Sequence, residues 1–460
     1  MLLPSSAKLL RRPGQLTVFL STLSLLGGCA GFSADGGFSA VAQVAQDRLA
    51  KDVAWQRTEQ ESASAAQRVK ELLAAALSVD DAVQIALLNN RGLQASFYEL
   101  GIAEADLVQA GRLPNPTFSL NRARQGSEVE IDRGLTLNLA RVLALPYSKK
   151  IEQARLAQVQ REVSLQMLNL ASETRKAYYL AIAADQTMSY MQQVKQAADA
   201  GAELAARMTQ AGNYNTLQQA REQSFFADAK VNLARAEQTQ KRCQEQLTRL
   251  MGVSAGPTAF KLPPRLPELP QHLQDLQTVE QTAMEQRLDI QAARLSTAQL
   301  AENLGLSKAS RFINVLEVGA SRNSYSDQAG QRAYSLTLEL PLFDWSTAKL
   351  AKSEARYMQA VNRTAELAIN ARSEVRQAYQ AYRSNYDIAL YYQNEIIPLK
   401  KRISVENQLR YNGMLISVFD LLADARSQIS SVNSAIEASR DFWIAQADLE
   451  MSLLGRPSSN

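Results

Sequence analysis

Two stretches of the chain alternate apolar with small or polar residues at a period of two. In the first, Leu135, Leu137 and Leu139 alternate with Gly134, Thr136 and Asn138; in the second, Tyr334, Leu336, Leu338, Leu340 and Leu342 alternate with Ser335, Thr337 and Glu339. Successive side chains of a strand point to opposite faces, so the pattern predicts strands wet on one face. Each is the second arm of a hairpin: Thr117 to Arg124 then Ile131 to Leu143 around Gly126, and Phe312 to Tyr325 then Tyr334 to Leu342 around a Ser-, Asp- and Gly-rich turn. Arg122, Arg124 and Glu317 interrupt the alternation of the first arms. Strands of about 10 residues with this alternation are expected of membrane barrels. A soluble hairpin packed on a helix is the alternative.

The rest of the pattern is helical. A helix opens near Ser78, with Asp80 and Asp81 in its first turn, and runs to about Arg112, before Pro114 and Pro116. Tyr147 to Ala211, 65 residues, carries no obvious break and at 1.5 Å per residue would extend about 100 Å; Phe343 to Asn412 is similar. Both are rich in Ala, Gln, Arg and Glu, a composition suited to long coiled-coil-like helices with water on at least one side. Gly212 and Gly413 close them, glycine being the residue that accepts the left-handed conformation at a helix end. Reversed helices follow over Thr216 to Met251 and Val418 to Leu454.

This order occurs twice. Glu173-Thr174-Arg175-Lys176-Ala177-Tyr178 matches Glu374-Val375-Arg376-Gln377-Ala378-Tyr379, Ala154-Arg155 matches Ala355-Arg356, and Gly212 matches Gly413, every pair 201 positions apart. Leu250-Met251-Gly252 and Leu453-Leu454-Gly455 close the copies. A shared offset of that size marks a tandem duplication. Between the copies, 253–277 holds Pro257, Pro263, Pro264, Pro267 and Pro270, which no helix crosses. Residues 30–77 are Ala/Gln/Ser-rich, with helical composition near 44–76.

Composition narrows the chemistry. A formal net charge of +4 over 460 residues argues against nucleic acid, whose binding domains usually show a clustered basic face. Past the N-terminus no apolar run reaches the roughly 18 residues of a spanning helix. Two cysteines, Cys29 and Cys243, and one histidine, His272, exclude a disulfide framework and histidine-rich metal sites. Cys243 reads as a partly buried helix residue and His272 as a solvated residue of the proline-rich linker. With no Gly-rich phosphate loop, zinc spacing or nucleophile motif, the chain does not read as an enzyme and implies no cofactor and no resident metal. Lys8, Arg11 and Arg12 precede the apolar Leu16 to Leu26 and then Leu26-Gly27-Gly28-Cys29, a secretory signal whose end resembles the bacterial lipobox. The resemblance implies acylation of Cys29, including palmitate, and Ala30 after it favours the outer membrane; an ordinary signal peptide with a chance cysteine is the alternative.

The order of elements after Ser78 is similar to that of the TolC-type outer-membrane efflux proteins. Arg287-Leu288-Asp289-Ile290, Leu338 to Asp344, Arg410-Tyr411-Asn412-Gly413 and Phe419-Asp420-Leu421-Leu422 each resemble a segment of that family, in the family's order. The implied fold is mainly α with a small β part: a long helical barrel, with four strands per chain contributing to a trimeric 12-stranded transmembrane barrel. Strand arithmetic agrees, since four strands cannot close, eight are filled by their own side chains, and twelve leave room for a solute. The implied organisation is a lipoprotein signal peptide at 1–28, a periplasmic segment at 29–77, repeats at 78–252 and 278–455, and the linker at 253–277.

The resemblance implies a homotrimer in the outer membrane, lipid-anchored through Cys29 and extending into the periplasm. It would bind a periplasmic adaptor and an inner-membrane pump such as an RND or ABC transporter. Its work would be passive exit of small molecules, either drugs or heavy metals such as copper. A type I protein secretion duct, and a periplasmic coiled-coil scaffold lipoprotein without a pore, are the alternatives. Family acids near the periplasmic tip carry over to Asp420 and Asp424, whose i, i+4 spacing places both on one helix face; a solvated helix face is the plain alternative. Gly212 and Gly413 would shape tip turns that dock the adaptor.

Overall fold

The computed structural model describes residues 31–253, 260–273, 278–309, 315–339 and 343–457. The hairpins become β1 (Thr117–Gln125), β2 (Glu128–Asn138), β3 (Leu316–Tyr325) and β4 (Gln331–Leu338). All neighbours are antiparallel, in the order β1-β2-β3-β4, so the two hairpins form one sheet with β1 and β4 as its edges. The predicted ends 312–314 and 340–342 lie outside the described residues, as does Cys29.

The second strand is shorter than its alternation predicts. It stops at Asn138, whose side chain accepts a hydrogen bond from the Arg141 N–H at 2.9 Å. That cap starts the helix α5 (Leu139–Gln210), 72 residues long, with Pro146 inside its third turn. Residues 139–143 are therefore helical, not strand, because an N-cap contact outweighs the apolar alternation.

The chain divides into two compact units: residues 31–37, Gly101–Ala157 and Leu295–Ala360, which hold the sheet, and Phe38–Leu100, Gln158–Arg294 and Val361–Asn460. The second unit is helical. It contains α1 (Ser39–Leu49), α2 (Glu59–Leu73), α3 (Val79–Asn89), α6 (Thr216–Met251), α7 (Val279–Gln286), α10 (Ile397–Asn412) and α11 (Val418–Leu454). It also holds parts of α4 (Arg91–Ala110), α5, α8 (Leu288–Ala309) and α9 (Thr347–Tyr391). The N-terminal segment is part of this core: Val41, Ala45 and Trp55 pack with Phe97, Val163 and Met167. The linker lies along helices, held by its own carbonyls. The Trp443 indole N–H donates to the Pro267 oxygen (3.2 Å) and the Tyr386 hydroxyl to that of Pro270 (2.8 Å). Cys243 is buried and His272 exposed.

Helix periodicity hid three local events. The single helix expected from Ser78 to Arg112 is two, broken at Asn90 (ψ 119°). Asn90 caps the restarted helix by accepting from the Leu93 N–H at 3.0 Å and donates to the Leu250 oxygen at 2.9 Å. The second copy breaks in the same way at Arg287 (ψ 121°), whose guanidinium reaches the Ser452 oxygen at 3.4 Å. Arg287 is fully buried; it pairs with Asp289 at 2.7 Å and Glu374 at 2.9 Å, Glu374 being the counterpart of Glu173. The third event is a π-helical turn, Tyr392–Ile396, between α9 and α10. It interrupts the helix expected to run unbroken to Asn412, beside Pro398, which has no N–H to continue the regular ladder.

The two glycine-marked turns also differ. Gly212 takes the left-handed conformation (φ +78°), as expected. Gly413 does not: its φ is −81°, and the left-handed residue is Met414 at φ 56°. The Met414 N–H donates to the Tyr411 oxygen (2.9 Å) and that of Leu415 to Arg410 (2.8 Å), so the turn is closed one residue later than the sequence predicts.

These features make two predictions. Arg287→Met leaves Asp289 without its cation and Glu374 with only Arg456, at 3.7 Å, and should cost about 3 kcal/mol; urea unfolding followed by helical circular dichroism measures it, and Glu374→Gln on top should recover part of the loss. Gly212→Ala should cost roughly 1–2 kcal/mol for a left-handed alanine. Gly413→Ala should be nearly silent, its new methyl meeting only ordinary contacts at 3.6–3.7 Å. Hydrogen exchange at the two turns reads the difference, and equal acceleration at both would refute the assignment.

Candidate functional site

The register separates the sheet into two unlike faces. One carries the directly opposed rows Phe118–Leu135–Ala320–Tyr334, Leu137–Val318–Leu336 and Leu316–Leu338. The other carries Thr117–Thr136–Gly319–Ser335, Ser119–Gly134–Ser321–Ala333 and Asn121–Asp132–Asn323–Gln331. The second face is crowded: a side chain at Gly134 or Gly319 would meet the Ser119 or Ser335 hydroxyl at 2.5 Å. The first is open, with Phe118, Leu120, Leu135, Tyr334 and Leu336 all exposed. None of the described helices is long and apolar enough to cross a membrane.

The turns at Gly212 and Gly413 lie at the ends of helix pairs, and each following helix begins with a reciprocal cap. Asn215 and Gln218 exchange hydrogen bonds at the start of α6 (2.8 and 2.9 Å). At the start of α11, Ser417 donates its N–H (3.1 Å) and hydroxyl (2.7 Å) to the Asp420 carboxylate, and the Asp420 N–H returns to the Ser417 oxygen (3.3 Å). The Ser417 hydroxyl, then its N–H, hold the Asp420 pKa below the ordinary aspartate value. Asp420 is exposed; Asp424, one turn on, keeps one carboxylate oxygen buried without a hydrogen-bond partner. Beside the second turn, Met414 is 94% and Leu415 77% exposed.

An ion pair that the sequence reading missed lies nearby. Glu222 of α6, its side chain only 3% exposed, pairs at 2.9 Å with Arg426 of α11. The Arg426 guanidinium sits 4.3 Å from the centre of the Phe225 ring. Both line a groove of about 630 Å³ between α5, α6 and α11, with Arg235, Arg242 and Arg440 farther along. Arg426 Nε and Asn433 Oδ1 are buried there without hydrogen-bond partners. The signal available in the sequence was Phe225-Phe226, an aromatic pair in an otherwise polar helix.

No protein-family model matches the sequence. The chain is 21% identical over 283 residues to the cobalt-zinc-cadmium resistance protein CzcC of Cupriavidus metallidurans, covering 60% of this chain and 65% of that protein, slightly under two thirds of its length. The MtrE outer membrane channel of Neisseria gonorrhoeae, in its open state, superposes with a TM-score of 0.68 at 20% identity, over 83% of this chain and 91% of that one. The CmeC outer membrane channel of Campylobacter jejuni does so with a TM-score of 0.69 at 15% identity, over 82% and 85%. The chain has the fold of these outer-membrane channels.

Proposed function

We propose that the protein is the outer-membrane channel of a tripartite efflux system, a passive exit duct built as a homotrimer. The observation that carries this reading is the sheet: apolar rows on the helix side of one face, small and polar residues on the other, and β1 and β4 without further partners among the described residues. In a bilayer an open edge leaves backbone groups without partners, so such a sheet must close. Pairing β4 of each chain with β1 of the next closes a ring, and three chains give twelve strands around a wet lumen. A coiled-coil scaffold has no use for such a sheet.

Acylated Cys29 would add a lipid anchor in the outer membrane. The turns at Gly212 and Gly413, the latter with its exposed Met414 and Leu415, would meet a periplasmic adaptor that links the duct to an inner-membrane pump of the RND or ABC class. The cargo is a small molecule, a drug or a heavy metal ion; the name of the Cupriavidus relative favours transition metals. Asp420 and Asp424 would form carboxylate rings at the periplasmic aperture, favouring cations.

The purified full-length protein should migrate as an SDS-resistant trimer that heating dissociates, and should conduct ions in planar bilayers; a monomer that never conducts would sink the reading. Asp420→Asn with Asp424→Asn should weaken block by divalent cations about tenfold. Asparagine can still accept the Ser417 hydrogen bonds, so the cap and the charge are separable. Because the Asp420 pKa is depressed, its share of block and of helix capping is present above the ordinary aspartate value of about 3.9 and lost as pH falls through its own lower value. Block that disappears between pH 7 and about 5 would point to a different group.

A further inference from the structure

Charge in the sheet is sorted by face. All five of its arginines, Arg122, Arg124, Arg133, Arg322 and Arg332, share the face of Phe118, Leu135 and Tyr334. All four of its carboxylates, Glu128, Glu130, Asp132 and Glu317, are on the opposite face. Arg133, Arg322 and Arg332 stand directly opposite one another across three adjacent strands. Strands lie about 4.8 Å apart, so three permanent positive charges fall within roughly 10 Å. Like charges directly opposed destabilise a sheet. Among the described residues, Arg133 has only the Ser324 hydroxyl as a side-chain partner, at 3.2 Å. No ion pair joins any of the three to a described residue.

The row also sits at a boundary. On its helix side lie the apolar rows Phe118–Leu135–Ala320–Tyr334 and Leu137–Val318–Leu336; on its turn side lies Arg122–Ile131–Ser324. The arginines share an open groove with Phe118, Leu135, Ala320 and Tyr334, and the Tyr334 side chain, 87% exposed, is placed as an interfacial aromatic. An arginine facing lipid is costly at the bilayer midplane and cheap at its surface. The boundary of the hydrocarbon layer is therefore set between the Tyr334 row and the Arg332 row.

We propose that Arg133, Arg322 and Arg332 bind the headgroup of a membrane lipid carrying two phosphate groups, while its acyl chains lie on the apolar rows beside them. This rests on the barrel reading above. Guanidinium groups bind phosphate oxygens in bidentate pairs, which removes the repulsion within the row. One phosphodiester would leave most of the row uncompensated; two phosphates match three arginines, with Arg122 one row nearer the turns. The outward charge thus becomes a lipid contact that fixes the depth of the sheet in the membrane.

The test uses the full-length trimer reconstituted in phosphatidylcholine vesicles with or without lipid A, a glycolipid with two phosphates. After re-extraction in mild detergent, native mass spectrometry counts the lipid retained. The wild type should keep at least one lipid A per subunit and should not exchange it for excess inorganic phosphate. Arg133→Gln/Arg322→Gln/Arg332→Gln should weaken retention about tenfold or more. The same change at the exposed Arg356, Arg363 and Arg372 of α9 should not. If the triple variant fails to assemble, Arg322→Gln, the middle of the row, should still lose severalfold. Equal retention by wild type and row variants, no preference over lipid A stripped of phosphate, or displacement by inorganic phosphate would each overturn the proposal. A wild type that conducts but keeps no lipid A overturns this proposal alone; one that neither trimerises nor conducts overturns the duct reading and this with it.

Discussion

A strand edge is a row of backbone donors and acceptors, and hydrocarbon offers them nothing to bond. β1 and β4 are two such edges on one sheet, and much of the remaining design answers them. A four-stranded sheet cannot curl far enough to pair its own edges, so in the proposed duct closure would come from copies of the chain. Closure gives the sheet an inside and an outside, and the faces are already sorted for both. The inward candidate is crowded and polar, with Gly134 and Gly319 where an added Cβ would meet a serine hydroxyl at 2.5 Å. The outward candidate is apolar, and its charges are all of one sign.

The strands were legible in the sequence because their period of two comes from side-chain direction alone. The long helices and their reversals were legible because glycine and capping residues end them in recognisable ways. Much of what escaped was set by contacts between distant segments. Asn90 and Arg287 break helices where each side chain reaches a carbonyl about 160 positions away; Asn90, a preferred N-cap residue, also carried a local signal, and Arg287 did not. Met414, rather than Gly413, turns left-handed because the backbone bonds of that turn close one residue later. Glu222 stands among other charges on a polar helix in the sequence, and only the fold brings it, buried, to Arg426 of the other copy. The N-terminal segment had helical composition but no address; Trp55 and Val41 find theirs only in the folded core.

Duplication supplies two copies of one scaffold and lets each settle its local problems separately. Where the first copy joins the break after α3 to the end of α6 with a neutral amide, the second uses a buried guanidinium and two carboxylates. The second arrangement is more exacting, since each buried charge depends on the others. It also ties the linker side of the second copy to α9 and α11 at a single point. A neutral Asn can be lost more cheaply than a charged partner, so the two copies are not interchangeable despite their common offset.

The turns show why the divergence matters. At the first, Asn215 and Gln218 form a neutral cap. At the second, the same geometry is made by Ser417 and Asp420, so the residue that starts the helix is also a fixed negative charge. Two donors hold that carboxylate in place and keep it ionised, which means the charge is oriented before any ion arrives. In the proposed duct, a ring of such groups would need no rearrangement to meet a cation. The cap stabilises the helix and presents the charge through the same hydrogen bonds.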